Sequence, residues 1–238
     1  MSGLRVENLS YRYGPKTALD DVSFRVEAGQ FCVLLGPNGA GKSTLFSLLT
    51  RLLVPPEGRV FIAGYELGRS PRAALARLGI VFQQSTLDLD LTVAQNLRYF
   101  AALHGLSGRA ARMRIDAALD QLDMRERAGE KTRALNGGHR RRAELARALI
   151  HDPEVLLLDE PTVGLDAAAR RSITNHAHGL TESGKTVLWA THLTDEVYPG
   201  DRLVILHQAR ILAEGGAAEI AGDMPLAERF LTMTGADA

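Results

Sequence analysis

Hydrophobic and polar residues alternate along the first part of the chain, which is the pattern of β-strands that bury one face. Two such segments lie near the N-terminus, and turn-forming residues separate them. Their apolar positions are Leu4, Val6 and Leu9, followed by Val22, Phe24 and Val26. A further strand is predicted at residues 59–63, just before Gly64. The alternation therefore predicts antiparallel strands at the start of the chain.

Continuous apolar runs follow, and these lack the alternation. They lie at residues 31–35, 155–158, 186–190 and 202–206. Short runs of this kind are typical of strands buried on both faces of a sheet. Segments with helical spacing lie between them, including residues 45–52, which precede Pro55, and residues 167–182. The alternation of strand and helix predicts a parallel sheet.

The middle of the chain has a different pattern, because it is helical and rich in Ala, Leu and Arg. Thr92 and Gln95 form a capping box that begins one helix, and Gly105 is placed to end it. A second helix is predicted from about Ala110 to Leu122. We expect the apolar stripes of both helices to pack in the core and not to bind a ligand.

A glycine-rich loop with the spacing of a phosphate-binding loop follows the strand at 31–35. It comprises Gly36, Pro37, Asn38, Gly39, Ala40, Gly41, Lys42, Ser43 and Thr44, and it matches G-x-x-x-x-G-K-[ST]. The glycines allow backbone N–H groups to converge on phosphate oxygens, and the helix N-terminus adds a positive dipole. Lys42 would reach the β- and γ-phosphates, and Ser43 would bind Mg²⁺. The alternative is a glycine-rich turn without a ligand.

Two carboxylates end the apolar run at 155–158. Asp159 and Glu160 would therefore lie at the carboxyl edge of the sheet, where open α/β folds place their ligands. Asp159 fits the acid on the Mg²⁺ side of such a site, and Glu160 is placed to accept a proton from the attacking water. On its own this segment also fits a strand that simply ends in a polar turn, but the phosphate-binding loop favours the catalytic interpretation.

The order of motifs along nearly the whole chain resembles that of the ATP-binding subunit of an ABC transporter. The order is phosphate loop, glutamine, L-x-G-G-x, the Asp-Glu strand, D-loop and histidine. The resemblance implies that Tyr13 stacks on adenine and that Gln83 senses Mg²⁺ and the γ-phosphate. It also implies that Asp166 lies in the D-loop and that His192 is the switch histidine. ATP and Mg²⁺ are then the expected ligands.

The L-x-G-G-x segment departs from the usual L-S-G-G-Q of this family. It contains Asn136, Gly137, Gly138 and His139. In the family this segment completes the ATP site of a second subunit. Asn136 suits a helix N-cap and can donate a hydrogen bond to a phosphate through its side-chain amide. Two interpretations of His139 remain open: it adds a group that titrates near neutral pH at the site, or it faces solvent without a role. The form L-N-G-G-H-R-R-R resembles the subfamily encoded beside pyrroloquinoline-quinone-dependent alcohol dehydrogenases.

The expected fold is α/β, with a RecA-like P-loop NTPase core, an antiparallel β subdomain and an inserted α-helical subdomain. We expect one domain over residues 1–238. Residues 1–86 and 151–238 would form the β edge and the core, and residues 87–150 would form the helical subdomain. The basic run at residues 140–142 could assist phosphate binding. We interpret it instead as a solvated helix face, because three consecutive helical side chains point in different directions.

Composition limits the possible partners. The 28 basic and 28 acidic residues give zero formal charge, so no nucleic-acid partner is expected. The one cysteine, Cys32, lies in an apolar run and is expected to be a buried thiol. No apolar stretch approaches the roughly 18 residues of a membrane span, and the N-terminus lacks a signal-peptide core. We therefore expect a cytoplasmic chain held at the inner face of the membrane by a partner.

Two functions are compatible with these sequence features. The favoured one is an ATPase subunit that powers a membrane transporter, which by analogy with efflux-type subunits is an exporter. Its partners would be a second copy of the chain and separately encoded transmembrane permease subunits. The alternative is a soluble ABC-type ATPase acting on ribosomes, DNA or iron–sulfur assembly. The single cassette, the absence of zinc-type cysteine pairs and the balanced charge count against it.

Overall fold

The chain forms two β-sheets and eight α-helices within residues 2–235, which the computed structural model describes. The strands are β1 (Ser2–Tyr13), β2 (Lys16–Glu27), β3 (Phe31–Leu35), β4 (Glu57–Ile62), β5 (Tyr65–Glu66), β6 (Leu78–Val81), β7 (Val155–Asp159), β8 (Thr186–Thr191), β9 (Arg202–His207) and β10 (Arg210–Gly216). The helices are α1 (Lys42–Leu49), α2 (Pro71–Leu75), α3 (Val93–Leu103), α4 (Gly108–Gln121), α5 (Gly137–Leu149), α6 (Ala167–Glu182), α7 (Ala217–Ala221) and α8 (Leu226–Thr234).

One sheet is antiparallel and the other is mainly parallel, as the two hydrophobic patterns predicted. The four-stranded antiparallel sheet has the order β2-β1-β4-β5. The six-stranded sheet has the order β10-β9-β3-β8-β7-β6, and only its edge strand β10 runs antiparallel to its neighbour. The central position of β3, β8 and β7 brings the loops that follow them to the same edge of the sheet.

Strand β3 divides the hydrophobic core into two layers because its side chains alternate between the two faces of the sheet. Cys32 and Leu34 pack with the antiparallel sheet and α1, whereas Val33 and Leu35 face the side of α3, α5 and α6. All four side chains are fully buried. Burial raises the pKa of the Cys32 thiol, so this cysteine is a neutral core residue, as predicted.

Helices α3, α4 and α5 pack on one another and join the second core layer. The predicted capping box is confirmed. The Gln95 amide donates to Thr92 Oγ1 at 3.1 Å, and the Thr92 amide donates to Gln95 Oε1 at 2.8 Å. Gly105, with φ +73°, follows the end of α3 in the left-handed conformation that ends a helix. Within residues 2–235, no helix combines the length and apolar character needed to cross a membrane.

The structure differs from the sequence prediction at several elements. Helix α1 ends at Leu49, whereas the helical spacing extends it to Leu52, which is 69% exposed. The leucine spacing alone predicted a longer helix, but Leu52 lies in a bend after the helix and Val54 is equally exposed. The short strand β6 was not predicted, and neither was the edge strand β10, whose buried and exposed positions do not form an apolar run.

Candidate nucleotide site

A cleft of about 460 Å³ opens beside the N-terminus of α1. It collects residues from the β1–β2 turn, the loop between β3 and α1, and the segments after β6, β7 and β8. The predicted residues that line it are Tyr13, Asn38, Gly39, Gly41, Lys42, Ser43, Thr44, Gln83, Glu160 and His192. Lys16, Thr17 and Ala18 also line the cleft, and sequence reasoning missed them because nothing but their closeness to Tyr13 marks them.

The phosphate-binding loop requires glycine at two of its positions. A Cβ atom on Gly36 would lie 2.4 Å from the Leu206 carbonyl oxygen, and one on Gly41 would lie 2.5 Å from the Ala18 carbonyl oxygen. Gly41 also has a φ of +117°. The turn is closed by the Ala40 amide, which donates to the Pro37 carbonyl at 3.2 Å. The loop is therefore held close to β2 and β9, and larger side chains do not fit at these two positions.

Helix α1 presents its N-terminus to the cleft. Its N-cap is Gly41, and no side chain accepts a hydrogen bond from the first-turn amides. A helix N-terminus in this state offers both N–H donors and positive dipole to an anion. The Ser43 hydroxyl lies in the first turn and lines the same cleft.

Lys42 is buried and its ammonium group binds backbone carbonyls and a carboxylate. Nζ donates to the Gly36 carbonyl at 2.7 Å and to the Pro37 carbonyl at 3.2 Å, and it lies 3.3 Å from Glu160 Oε1. These two carbonyl oxygens and one carboxylate oxygen surround the ammonium group where phosphate oxygens would lie in a nucleotide complex. Lys42 therefore lies within the loop that its motif predicts, oriented toward the glutamate.

Glu160 is the point where the predicted catalytic side chains meet. Its Oε1 atom lies 3.3 Å from Lys42 Nζ and 3.3 Å from His192 Nδ1, and Oε2 accepts from Gln83 Nε2 at 3.3 Å. The Glu160 backbone has a φ of +43°, a left-handed conformation that costs energy for a non-glycine residue. Its amide donates to the Ala190 carbonyl at 3.0 Å, which anchors the strained residue on β8.

Asp159 ends β7 beside Glu160 and is 8% exposed. Burial, followed by the negative charge of Glu160, raises the pKa of Asp159 to about 6. Lys42 and Arg141 oppose this shift. A nearby cation would stabilise the ionised form of this carboxylate. Such an environment is expected for a residue on the metal side of a nucleotide site.

The L-x-G-G-x segment does not line this cleft. Asn136 is the N-cap of α5, because its Oδ1 atom accepts a hydrogen bond from the His139 backbone amide at 2.9 Å. This contact does not involve the hydrogens of the Asn136 side-chain amide. A Cβ atom on Gly137 would lie 3.0 Å from Leu165 Cδ2, which places the segment against the D-loop. Asp166 caps α6 by accepting from the Ala169 amide at 2.8 Å.

Gly138 packs close to the first turn of α6, where a Cβ atom on it would lie 3.1 Å from Ala169 Cβ. The neighbouring His139 ring is partly exposed. Burial lowers the pKa of His139, and the positive charges of Arg127 and Arg142 lower it further, against a smaller opposite effect of Glu130. Without nucleotide, these effects favour the neutral form of the His139 ring.

The interpretation of residues 140–142 as a solvated face is wrong for Arg141, which is only 8% exposed. Its guanidinium group donates to the carbonyls of Pro161 at 2.5 Å, Phe82 at 2.7 Å and Gln83 at 3.1 Å. A basic run on a helix is usually solvated, and the prediction followed that tendency. Here the middle residue points inward instead, because the carbonyls of two loops replace the water around its guanidinium group.

The cleft suits a nucleotide with a hard cation. Open first-turn amides and the Lys42 ammonium match phosphate oxygens, and the Ser43 hydroxyl is an oxygen donor of the kind that Mg²⁺ prefers. Asp159 is not among the residues that line the cleft, but its carboxylate ends β7 beside Glu160 and is a second donor of this kind. Tyr13, 49% exposed, also lines the cleft and lies next to Tyr11, whose ring centroid is 5.0 Å away.

Comparison with known proteins identifies the family. Residues 19–163 match the family model described as ABC transporter. The chain is 40% identical over 220 residues to daunorubicin resistance ATP-binding protein DrrA3 of Streptomyces coeruleorubidus, covering 92% of this chain and 70% of that protein. It is also 40% identical over 218 residues to Nod factor export ATP-binding protein I of Ralstonia nicotianae, covering 91% and 68%.

Solved structures show the same fold. The chain superimposes on cbiO1 from Clostridium perfringens, part of an ABC transporter complex, with a TM-score of 0.85 at 30% identity, covering 97% of this chain and 92% of that one. A dimeric ATP-binding cassette in a post-hydrolysis state with ADP and Pi gives a TM-score of 0.78 at 29% identity, covering 90% and 98%. ATP-binding domains of this family work as dimers with transmembrane permease components. This chain belongs to the ABC transporter family and is one of its ATP-binding, ATP-hydrolysing domains.

Proposed function

We propose that the chain powers an exporter, that Glu160 activates the water that attacks the γ-phosphate, and that two copies close around two nucleotides. The observation that carries the catalytic assignment is the convergence of three side chains on the Glu160 carboxylate. Lys42, Gln83 and His192 each lie 3.3 Å from it, although they come from three separate segments. A carboxylate fixed on three sides is well placed to accept a proton.

Each side chain has a separate task in this proposal. Lys42 moves from the loop carbonyls to the β- and γ-phosphates, Gln83 orients the water, and His192 stabilises the γ-phosphate. Tyr13 holds adenine at the mouth of the cleft. Ser43, Asp159 and Gln83 would hold Mg²⁺, which when bound neutralises negative charge on the β- and γ-phosphates.

A second copy would supply the rest of each site. Asn136, Gly137, Gly138 and His139 lie outside the cleft of their own chain, and they are held against the D-loop that contains Asp166. This placement supports a dimer in which they face the nucleotide bound by the other copy. The likeness to a dimeric cassette with ADP and Pi supports the same arrangement.

Export is favoured over import because two relatives are named for drug resistance and for Nod factor export. In the proposed assembly, separately encoded permease subunits hold the chain at the cytoplasmic face of the membrane and determine the cargo. Co-expression with a polytopic membrane protein encoded beside this chain, followed by affinity purification from solubilised membranes, tests this assignment. Failure of every such neighbour to copurify with the chain would contradict it.

Dimer closure is tested with the Glu160→Gln variant. We expect Mg-ATP to convert this variant from monomer to dimer in sedimentation velocity. Adding Gly137→Asp should abolish the dimer, because it places an anion next to the γ-phosphate of the other copy. Gly137→Ala controls for contact with Leu165, and Gly129→Asp adds the same charge at an exposed glycine with open space around it. A Glu160→Gln chain that stays monomeric in saturating Mg-ATP would contradict the shared site.

A further inference from the structure

Helix α5 holds the segment around Gln83 through two buried charged side chains. Arg141 and Glu144 lie three residues apart on the helix, so they share one face. They are 8% and 1% exposed. Arg141 contacts residues 82–83 and Glu144 contacts residues 85–86. The segment is thus held at both ends by one turn of one helix.

The contacts of Arg141 join two catalytic loops. The guanidinium group donates to the carbonyls of Phe82 and Gln83 at 2.7 and 3.1 Å, and to the carbonyl of Pro161 at 2.5 Å. Pro161 directly follows Glu160, so one side chain fixes the backbones that carry Gln83 and Glu160. Only a guanidinium group has the flat, branched set of donors that reaches three carbonyls at once.

Glu144 holds the other end of the segment. Its Oε1 accepts from Ser85 Oγ at 2.6 Å and from the Thr86 amide at 2.7 Å, and Oε2 accepts from Thr86 Oγ1 at 3.2 Å. Arg147 lies 3.6 Å from Glu144 and donates to the Ile80 carbonyl at 2.5 Å. A buried charge pair costs desolvation energy, so the full set of hydrogen bonds is needed to retain it.

The same helix begins with the segment proposed to face the second nucleotide. Asn136 and Gly137 lie within one and a half turns of Arg141, on the first part of α5. Arg141 therefore connects this part of the helix directly to the backbone of Phe82 and Gln83. We propose that Arg141, supported by Glu144, is a positioning residue that sets Gln83 against Glu160 and links this alignment to the position of the L-N-G-G-H segment.

This proposal rests on the proposed role of Gln83 in the ATPase reaction. One arm of the test is therefore independent of catalysis. In hydrogen exchange of the nucleotide-free protein, we expect Arg141→Lys and Glu144→Ala to speed exchange in a peptide spanning residues 82–88 by about 10-fold or more, since charged hydrogen bonds are lost. Arg142→Lys is the matched control, because Arg142 contacts Ser172 on α6 and not this segment. Unchanged exchange in both variants would overturn the proposal.

The second arm measures how ATPase activity changes. We expect Arg141→Lys to lower kcat about 10- to 100-fold, because small misplacements of catalytic groups have effects of this size, while the KM for ATP changes less than about 3-fold. The half-saturating Mg²⁺ concentration should rise together with this loss. Arg142→Lys should keep both values within about 2-fold of wild type, because it keeps the positive charge and Arg142 contacts Ser172 and not residues 82–86.

The decisive comparison combines Arg141→Lys with Gln83→Ala. If Arg141 acts through Gln83, its substitution should lower kcat less than about 3-fold when Gln83 is already absent, since coupled residues are not additive. An equal loss in both backgrounds would show a general structural effect and overturn the proposal. An inactive wild-type protein would instead contradict the proposed function, and the exchange experiment would still test the contacts of Arg141 and Glu144.

Discussion

His192 Nδ1 lies 3.3 Å from Glu160 Oε1, the same oxygen that faces the ammonium group of Lys42. The two residues follow neighbouring strands, β8 and β7, so the parallel register brings their side chains together. Two nitrogen atoms from separate segments thus lie within hydrogen-bonding or ion-pairing distance of one carboxylate oxygen. Movement of Lys42 onto phosphate would leave Glu160 free to bind a water molecule while His192 stays in place.

Substitution of Glu160 by Gln should abolish turnover without abolishing nucleotide binding. The amide has the same shape but cannot accept the proton from water, and loss of a general base costs about 10² to 10⁴-fold. Steady-state ATPase rates and equilibrium binding of a fluorescent ATP analogue measure the two effects. Glu182→Gln, at an exposed position, is the control. A rate within a few-fold of wild type would remove Glu160 from this role.

The His139 side chain should make ATP affinity depend on pH if it approaches the phosphates of the second nucleotide. Burial, Arg127 and Arg142 lower its pKa in the nucleotide-free protein, whereas phosphate charge would raise it. Binding of ATP would then be coupled to proton uptake, so affinity should increase as pH falls. We expect His139→Gln to remove this dependence. The test is ATP affinity measured from pH 6 to 8 for wild type and His139→Gln. Superimposable curves for the two proteins would show that His139 has no part in binding.

Asn136→Ser should retain activity equal to or above that of wild type. Serine restores the hydroxyl typical of the family and remains a good N-cap, so the His139 amide keeps an acceptor. Asn136→Ala is the contrasting variant, because it removes the cap and should destabilise the protein by about 1 kcal/mol. ATPase rates and urea denaturation separate the two effects. A large loss of rate in Asn136→Ser would show a contact that only asparagine makes.

The buried carboxylate of Glu196 should be important for stability. It is 1% exposed, accepts from Trp189 Nε1 at 2.9 Å and from the Thr162 hydroxyl, and lies 4.0 Å from Arg170 Nε. Glu196→Ala should lower the free energy of unfolding by about 3 kcal/mol, because two buried donors lose their acceptor. Asp195→Asn is the control, since its ion pair with Arg170 is largely exposed.

Emission from Trp189, the one tryptophan in the chain, can follow urea denaturation of these variants. It should also report the local change, because loss of the Glu196 contact alters the surroundings of the indole N–H. A Glu196→Ala protein with the stability of wild type would contradict the importance of this carboxylate. A comparable loss in Asp195→Asn would assign the effect to Arg170 instead.

The sequence predicted the strands and loops of the site better than its buried polar contacts. Apolar runs identified β3, β7, β8 and β9 because strands buried on both faces need such residues, and the phosphate loop is recognisable because its glycines are required sterically. The positions of Arg141 and Glu196 were not predictable in this way. Whether a charged side chain turns inward depends on which backbone carbonyls or donors the folded chain places nearby.

The stacked pair of His104 and His151 should make stability depend on pH. Their rings are 3.9 Å apart and nearly parallel, and His151 Nε2 donates to the Leu78 carbonyl at 3.0 Å. His151 Nδ1 is buried without a hydrogen-bond partner among the described residues. Burial, then the charge of His104, lowers the pKa of His151 to about 4, with Arg147 adding to the effect. Burial and Arg147 also lower the pKa of His104.

The sign of the effect follows from proton binding in the folded and unfolded states. An unfolded histidine, with a pKa of about 6.5, binds a proton that the folded His151 does not bind until about pH 4, so stability is complete above pH 6.5 and falls between these values. Between pH 7 and pH 5, the loss attributable to His151 should be on the order of 2 kcal/mol. Urea denaturation at pH 7 and pH 5 should show a smaller difference for His151→Gln than for wild type. His104→Gln should give an intermediate difference, because burial still disfavours the charged His151. An unchanged difference in His151→Gln would place the acid sensitivity elsewhere in the protein.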